Sequence, residues 1–189
     1  MSLAYEEHHG PAEIARRIQD IARRIESDYG KGPVVLAAVL KGAAVFAADL
    51  GRALEIPARL EYIDVLRGSE GEDEIVDFNF VTSFKAKDMD VLILKDVIRS
   101  GVIENYLLDH LREQGPRSIR FACLVDRPQE RKSALTADYV LFPSGEGILI
   151  GYGMEYEAQG GTFPFIGRVL PGTGAPIPET PTGKGRRRQ

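Results

Sequence analysis

The sequence predicts an α/β domain built around a mostly parallel sheet. Two largely apolar runs, residues 34–40 and 90–94, lack the alternation of a half-buried strand and are typical of strands covered on both faces. Segments with helical periodicity separate the candidate strands along the chain. Strands that alternate with helices in this way form parallel sheets, because each crossover helix returns the chain to the same end of the sheet.

Composition limits the classes of function. A length of 189 residues suits one domain, and the hydrophobic and charged fractions, 43% and 28%, exclude wholesale disorder. A net charge of −4 argues against a nucleic-acid partner. The single cysteine, Cys123, excludes an internal disulfide and suits a reducing cytoplasm. No apolar run reaches the roughly 20 residues that cross a bilayer, so we expect a cytoplasmic protein without a membrane partner.

The last part of the chain differs from the rest. Residues 171–189 carry four prolines, four glycines and four basic residues against one acid. Such a segment has almost nothing to bury. We therefore expect a single domain over residues 1–170 and a disordered tail rich in Pro, Gly and Arg over 171–189. The terminal arginines are interpreted as solvated, with contact to nucleic acid or an acidic partner as the alternative.

The first elements follow from periodicity. Isoleucines at 14, 18, 21 and 25 recur at spacings of four, three and four, which predicts one apolar helix face. Pro11 suits the first turn of this helix, and Gly30 suits the position after its end. The buried strand 34–40 follows, and Lys41-Gly42 separates it from a second helix over residues 43–54.

The remaining elements continue the alternation. A strand is predicted at 58–66, and alternating apolar residues predict another at 76–82. Between them lies an acidic loop that contains Glu70, Glu72, Asp73 and Glu74. After the strand 90–94, a helix presents Ile103, Leu107, Leu108 and Leu111, and Gly115-Pro116 ends it. Strands are predicted at 119–125, 139–142 and 148–150.

The loops that follow the strands carry the functional signal, because ligands of such sheets bind beyond the carboxyl ends of the strands. Four segments occur there in a characteristic order: Leu40-Lys41-Gly42, Lys95-Asp96-Val97-Ile98-Arg99-Ser100-Gly101, Leu124-Val125-Asp126-Arg127-Pro128 and Gly151-Tyr152-Gly153-Met154-Glu155-Tyr156. Over residues 34–170 the chain resembles the hypoxanthine-guanine phosphoribosyltransferases.

The resemblance implies a fold and a reaction. The fold is the type I phosphoribosyltransferase fold, a mostly parallel central sheet flanked by helices with a small hood. The reaction is that of purine salvage, which transfers ribose 5-phosphate from phosphoribosyl diphosphate to a purine base with Mg²⁺. The expected partners are a phosphorylated small molecule, either phosphoribosyl diphosphate or a purine nucleotide, and further copies of the chain in a homodimer or larger homo-oligomer.

The resemblance also assigns site residues. Diphosphate binding falls on Leu40, Lys41 and Gly42. Phosphate binding falls on Arg99, Ser100, Gly101, Val102 and Ile103. The base-binding positions are Arg127, Ile148 and Leu149, the metal ligands are Asp96 and Glu155, and the catalytic positions are Asp96 and Arg99.

Several of these positions depart from the family pattern. Lys95 stands where the family has the first of two adjacent acids. Arg99 stands where the family has the Asp that is assigned as the proton acceptor. An arginine cannot be deprotonated in a protein, and loss of a general base costs about 10²–10⁴ in rate. Ile148 stands where an aromatic residue stacks on the purine, and Arg127 replaces a lysine. We therefore expect a weak or inactive transferase.

Three alternatives remain open from the sequence. The chain is a weak transferase, a catalytically silent relative that binds a nucleotide or phosphorylated ligand as a sensor or partner, or a dimeric scaffold without a ligand. Locally, segment 95–101 is either a modified phosphate site or a connecting turn in which Lys95, Asp96 and Arg99 pair with one another. Arg127 either recognises a base or forms a loop salt bridge, and Glu155 is either a metal ligand or a surface carboxylate.

Overall fold

The elements alternate along the chain as the sequence predicts. The computed structural model describes residues 3–67, 78–82, 84–143 and 146–170. In chain order they are β1 (Tyr5–His9), α1 (Pro11–Tyr29), β2 (Val34–Val39), α2 (Ala44–Ala53), β3 (Ala58–Arg67), β4 (Phe78–Thr82), β5 (Asp90–Ile98), α3 (Val102–Arg112), β6 (Ser118–Asp126), a short 3-10 helix (Pro128–Glu130), β7 (Tyr139–Pro143), β8 (Leu149–Ile150) and β9 (Ile166–Val169).

In the part of the chain that the structure describes, six strands form the central sheet, in the order β4-β3-β2-β5-β6-β7. Strands β3, β2, β5, β6 and β7 run parallel, and β4 is antiparallel to β3 at one edge. The strand order reverses direction between β2 and β5, so the connections that leave these two strands diverge. A crevice therefore opens beyond their carboxyl ends.

A second, three-stranded sheet has the order β1-β9-β8 and is antiparallel. It corresponds to the small hood implied by the resemblance. The sequence analysis missed β1 and β9, because each is a short strand with an exposed or half-exposed face. They are strands because β1 pairs with β9 from Tyr5 opposite Val169 onward, and β9 also pairs with β8.

Two apolar layers hold the helices on opposite faces of the central sheet. The isoleucine face of α1 packs with Phe46 and Leu50 of α2 against Leu36 and Leu92. On the other face, α3 packs its leucines with strand residues that include Ile93. Cys123 is fully buried in this second layer, which confirms its predicted place in the core. Among the described helices, none combines the length and apolarity needed to cross a bilayer.

The structure shifts some predicted boundaries. Strand β5 continues through Lys95 and Asp96 to Ile98, where the sequence predicted a turn from residue 95 onward, because these residues still pair with β6. The predicted strand at 76–82 is described from Phe78. The acidic loop with Glu70, Glu72, Asp73 and Glu74 and the tail 171–189 lie outside the described residues.

Candidate functional site

A cleft of about 280 Å³ lies beyond the carboxyl ends of the central strands. Its lining residues come from the loops after β2, β5 and β6 and from the hood: Lys41, Gly42, Asp96, Val97, Arg99, Arg127, Gly147, Ile148, Leu149, Gly153, Met154 and Glu155. Residues predicted to bind the diphosphate, the base and the metal therefore line the same cleft as the predicted catalytic residues. Leu40, Ser100, Gly101, Val102 and Ile103 are not among the lining residues and lie beside the cleft.

The loop after β2 is packed tightly against the end of β5. The peptide bond between Leu40 and Lys41 is cis. A Cβ atom at Gly42 would collide with Oδ2 of Asp96, and one at Gly153 would collide with the backbone oxygen of Gly42. Glycine is therefore required at both positions so that the Asp96 carboxylate and the hood can approach this loop.

Lys95 pairs with two carboxylates at the end of β5. Its Nζ lies 3.2 Å from Oδ1 of Asp96 and 3.8 Å from Oε1 of Glu104. The Glu104 residue is only 5% exposed, and a buried carboxylate requires a charged or hydrogen-bonding partner. The predicted pairing of Lys95 with Asp96 is therefore present, with Glu104 as a third member.

The sequence analysis missed Glu104. A signal was available, because residues 104, 107 and 111 follow helical spacing and place this acid on the apolar stripe of α3. A charged residue on a buried helix face predicts a buried partner of opposite charge. The sequence does not say which cation that partner is.

Arg99 pairs with Glu130 instead of with Lys95 or Asp96. Its Nε donates to Oε2 of Glu130 at 2.7 Å, and Nη1 of Arg127 donates to Oε1 of the same residue at 3.2 Å. Burial raises the pKa of Glu130, but the hydrogen bond and charge of Arg99 and the charge of Arg127 outweigh burial, so the pKa lies below its ordinary value. Glu130 thus joins two arginines that line the cleft.

Arg127 is the most buried of the predicted cations. It is 6% exposed, and its Nη2 donates to the backbone oxygen of Gly147 at 2.7 Å. Within the described residues its Nε is a buried donor without a hydrogen-bond partner. The loop salt bridge considered for Arg127 is therefore present, and an unused donor remains on a cleft-lining side chain.

Hydrogen bonds to two backbone carbonyl groups hold the turn before α3 in place. Nη1 of Arg131 donates to the oxygen of Arg99, and the backbone N–H of Lys132 donates to the oxygen of Ser100, both at 2.9 Å. Gly101 adopts a φ of 74° at the helix N-cap, and the N–H of Val102 donates to the Ser100 hydroxyl at 3.3 Å. The first N–H groups of a helix have no partner within it, so this turn can bind a phosphate.

The hood contributes the far wall of the cleft. Tyr152 is 6% exposed and donates from its hydroxyl to the carboxylate of Asp49 on α2. Burial and this hydrogen bond raise the pKa of Tyr152. The side chain of Glu155 packs against Gly161, where a Cβ atom would collide with it. The hood segment is thereby fixed to α2 while Ile148 and Glu155 face the cleft.

The two predicted metal ligands, Asp96 and Glu155, both line the cleft. Mg²⁺ is usually held by one or two carboxylates together with substrate phosphates and water. In this chain one oxygen of Asp96 is bonded to Lys95 and the other is packed on Gly42. Among the described side chains, no group of three or more His, Cys, Asp or Glu could hold an ion. Because the Lys95 ammonium group is bound to Asp96 and carries the same sign of charge as Mg²⁺, this carboxylate does not fit the ion.

Comparison with known proteins supports the resemblance to phosphoribosyltransferases. The phosphoribosyl transferase domain model matches residues 5–157. The chain is 30% identical over 164 residues to the hypoxanthine-guanine phosphoribosyltransferase of Bacillus subtilis, an alignment that covers 84% of this chain and 89% of that protein. It is also 30% identical over 162 residues to the bifunctional protein TilS/HprT of Listeria innocua, of whose length it spans only 25%.

A solved structure matches over nearly the whole described chain. The crystal structure of a hypoxanthine-guanine phosphoribosyltransferase (hpt-2) from Bacillus anthracis has a TM-score of 0.81 and 28% identity, and covers 90% of this chain and 100% of that chain. The mostly parallel sheet, the flanking helices and the hood confirm the predicted type I phosphoribosyltransferase fold. The chain therefore belongs to the phosphoribosyltransferase family and, within it, to the hypoxanthine-guanine phosphoribosyltransferases.

Proposed function

We propose that this chain is a weak purine phosphoribosyltransferase that acts on bases of the hypoxanthine and guanine type. The observation that carries the proposal is the composition of the cleft, where Lys41, Asp96, Arg127 and Glu155 meet beside the N-terminus of α3. Such a cleft offers cations and backbone donors to a phosphorylated sugar and donor groups to a base.

The same geometry accounts for a low rate. Transfer of ribose to a purine nitrogen releases a proton that a group in the cleft must accept. Arg99 remains protonated, and Asp96 is bonded to Lys95. We propose that the loss of a free general base lowers the rate by about 10²–10⁴, with a further loss from Ile148, which cannot stack on the base as an aromatic ring does.

A steady-state assay tests this function. Hypoxanthine, guanine and xanthine are each offered with phosphoribosyl diphosphate and either Mg²⁺ or Mn²⁺, and the Bacillus subtilis relative is assayed in parallel. We expect turnover with hypoxanthine or guanine that is at least 10²-fold slower than that of the relative. The absence of turnover above background with every base and metal would exclude the transferase.

A second candidate is a catalytically silent member that binds a purine nucleotide or another phosphorylated ligand as a sensor or partner. The specific observation in its favour is the pairing of Arg99 with Glu130 and of Lys95 with Asp96, which leaves the phosphate turn in place while its side chains serve other contacts. Calorimetry with purine 5′-monophosphates is expected to show one site per chain. Arg99→Ala and Ser100→Ala are expected to weaken that site, and unchanged affinity in both variants would count against it.

We further propose that the chain forms a homo-oligomer in the cytoplasm. Leu60 and Tyr62 on β3 and Val81 on β4 share one face of the sheet edge and are 37%, 42% and 55% exposed. A cluster of large apolar side chains on a surface is typical of an interface. Analytical ultracentrifugation of wild type and of Tyr62→Glu tests this association. We also propose that the domain spans residues 1–170.

A further inference from the structure

We propose that the ammonium group of Lys95 supplies the positive charge at Asp96 that a divalent cation would otherwise supply, so that this chain binds a diphosphate without a metal ion. The inference rests on the proposed function, because it concerns how the same cleft holds phosphoribosyl diphosphate. The charges that carry it lie at the end of β5, where Lys95 contacts Asp96 and Glu104.

One oxygen of the Asp96 carboxylate is paired with a cation, and the other is crowded by the backbone of Gly42. Nζ of Lys95 donates to Oδ1 at 3.2 Å, and Oδ2 lies so close to Gly42 that a Cβ atom there would collide with it. Mg²⁺ requires near-octahedral oxygen coordination at short distances. To bind Oδ1 of Asp96, the ion would have to displace an ammonium group that carries the same sign of charge, and at Oδ2 it would lie close to that group and be repelled by it.

Glu104 keeps the ammonium group in place. Its Oε1 lies 3.8 Å from Nζ of Lys95, and the residue is 5% exposed on the first turn of α3. A buried carboxylate is strongly destabilising without a cation beside it. If Lys95 swung away from the strand end, Glu104 would lose the ion pair that it makes within the described residues.

The ammonium group can also serve a ligand. It carries three N–H donors, and Asp96 accepts one of them. The Lys95 side chain is 18% exposed, and its carboxylate partner Asp96 lines the cleft together with Lys41 and Gly42. A diphosphate held at this loop is therefore separated from a fixed cation by the Asp96 carboxylate, which contacts Lys95 through Oδ1 and adjoins Gly42 through Oδ2. That cation takes the place of the divalent ion that usually accompanies bound phosphates.

The first experiment compares diphosphate binding with and without metal. The affinities of the full-length chain for inorganic diphosphate and for phosphoribosyl diphosphate are measured by calorimetry in EDTA and in Mg²⁺. We expect the wild-type affinity to change less than threefold between the two conditions. Lys95→Met is expected to bind at least tenfold more weakly in EDTA and to recover in Mg²⁺. Lys87→Met, which removes an exposed charge before the other end of β5, is expected to behave as wild type.

The second experiment measures Mn²⁺ alone, by the electron paramagnetic resonance signal of the free ion. Lys95→Met is expected to bind Mn²⁺ at least tenfold more tightly than wild type, because Asp96 is released. Lys95→Arg keeps the charge and, like Lys87→Met, is expected to match wild type. Equal Mn²⁺ affinity in Lys95→Met and Lys87→Met would overturn the inference.

The outcomes separate this inference from the proposed function. A wild-type gain of tenfold or more from Mg²⁺ overturns the metal-free role of Lys95 and leaves the proposed function standing. A lack of diphosphate binding in both EDTA and Mg²⁺ overturns both. If Lys95→Met does not fold, the double variant Lys95→Met with Glu104→Gln replaces it, because the buried charge is then removed together with its partner. The comparison of wild-type affinity in EDTA and in Mg²⁺ tests the inference without any variant.

Discussion

Arg99 and Glu130 are joined by a 2.7 Å hydrogen bond between residues 31 positions apart in the sequence. The same carboxylate accepts from Arg127, so one acid lies between two cations of the cleft. Two arginines side by side repel each other, and Glu130 reduces that repulsion. Arg99 thus has a carboxylate partner, Glu130, that the sequence analysis did not connect with it.

Glu130→Gln is expected to show a pH-dependent loss of stability. The pKa of Glu130 is lowered in the folded state, so its contribution is present above the ordinary glutamate pKa of about 4.3. That contribution is lost as the pH falls through the lower folded-state pKa. Urea denaturation at pH 7 should show wild type more stable than Glu130→Gln, with a smaller difference at about pH 3.5. A difference that grows on acidification would contradict the pairing.

Restoring acids to the end of β5 is expected to raise transferase activity, provided that the partner charges are exchanged as well. The double variant Arg99→Asp with Lys95→Glu places one new carboxylate beside Glu130 and another beside Glu104. Adding Glu130→Arg and Glu104→Lys removes that repulsion. We expect kcat/KM for guanine to rise about 10²-fold in the four-residue variant and less in the two-residue variant. No gain in either variant would point to Ile148 and the acidic loop instead.

Gly42→Ala is expected to disrupt the cleft, because a Cβ atom there collides with the Asp96 carboxylate. The Asp96 side chain would have to leave its place beside Lys95. We expect affinity for phosphoribosyl diphosphate to fall at least tenfold, as measured by calorimetry. Gly32→Ala is the control, since its added Cβ meets nothing closer than 3.6 Å. Equal binding in the two variants would contradict the proposed packing.

Tyr152→Phe is expected to loosen the hood. The hydroxyl of Tyr152 donates to Asp49 across 103 positions of sequence and is buried. Loss of one hydrogen bond to a charged group costs about 1.5–3 kcal/mol in the free energy of unfolding, which urea denaturation measures. Tyr5→Phe removes a hydroxyl from a hood residue that is 39% exposed and is expected to change stability by less than about 0.5 kcal/mol. Similar losses in both variants would indicate that the Asp49 contact contributes little.

The sequence determined the order and kind of most elements by itself. Apolar runs and helical spacing are local properties, so they located β2, β5, α1 and α3 and the loops that face the cleft. The family resemblance, and not periodicity, singled out Lys41-Gly42, Asp96, Arg127 and Glu155, and the structure places these residues on the lining of one cleft.

Only the tertiary structure decided which side chains pair. Lys95 meets Glu104, Arg99 meets Glu130 and Tyr152 meets Asp49 because strand register and the hood bring separate segments within hydrogen-bond distance. The strands of the hood likewise form by pairing between remote segments, β1 with β9 and β9 with β8. Such contacts depend on distances between remote segments, which local periodicity does not encode.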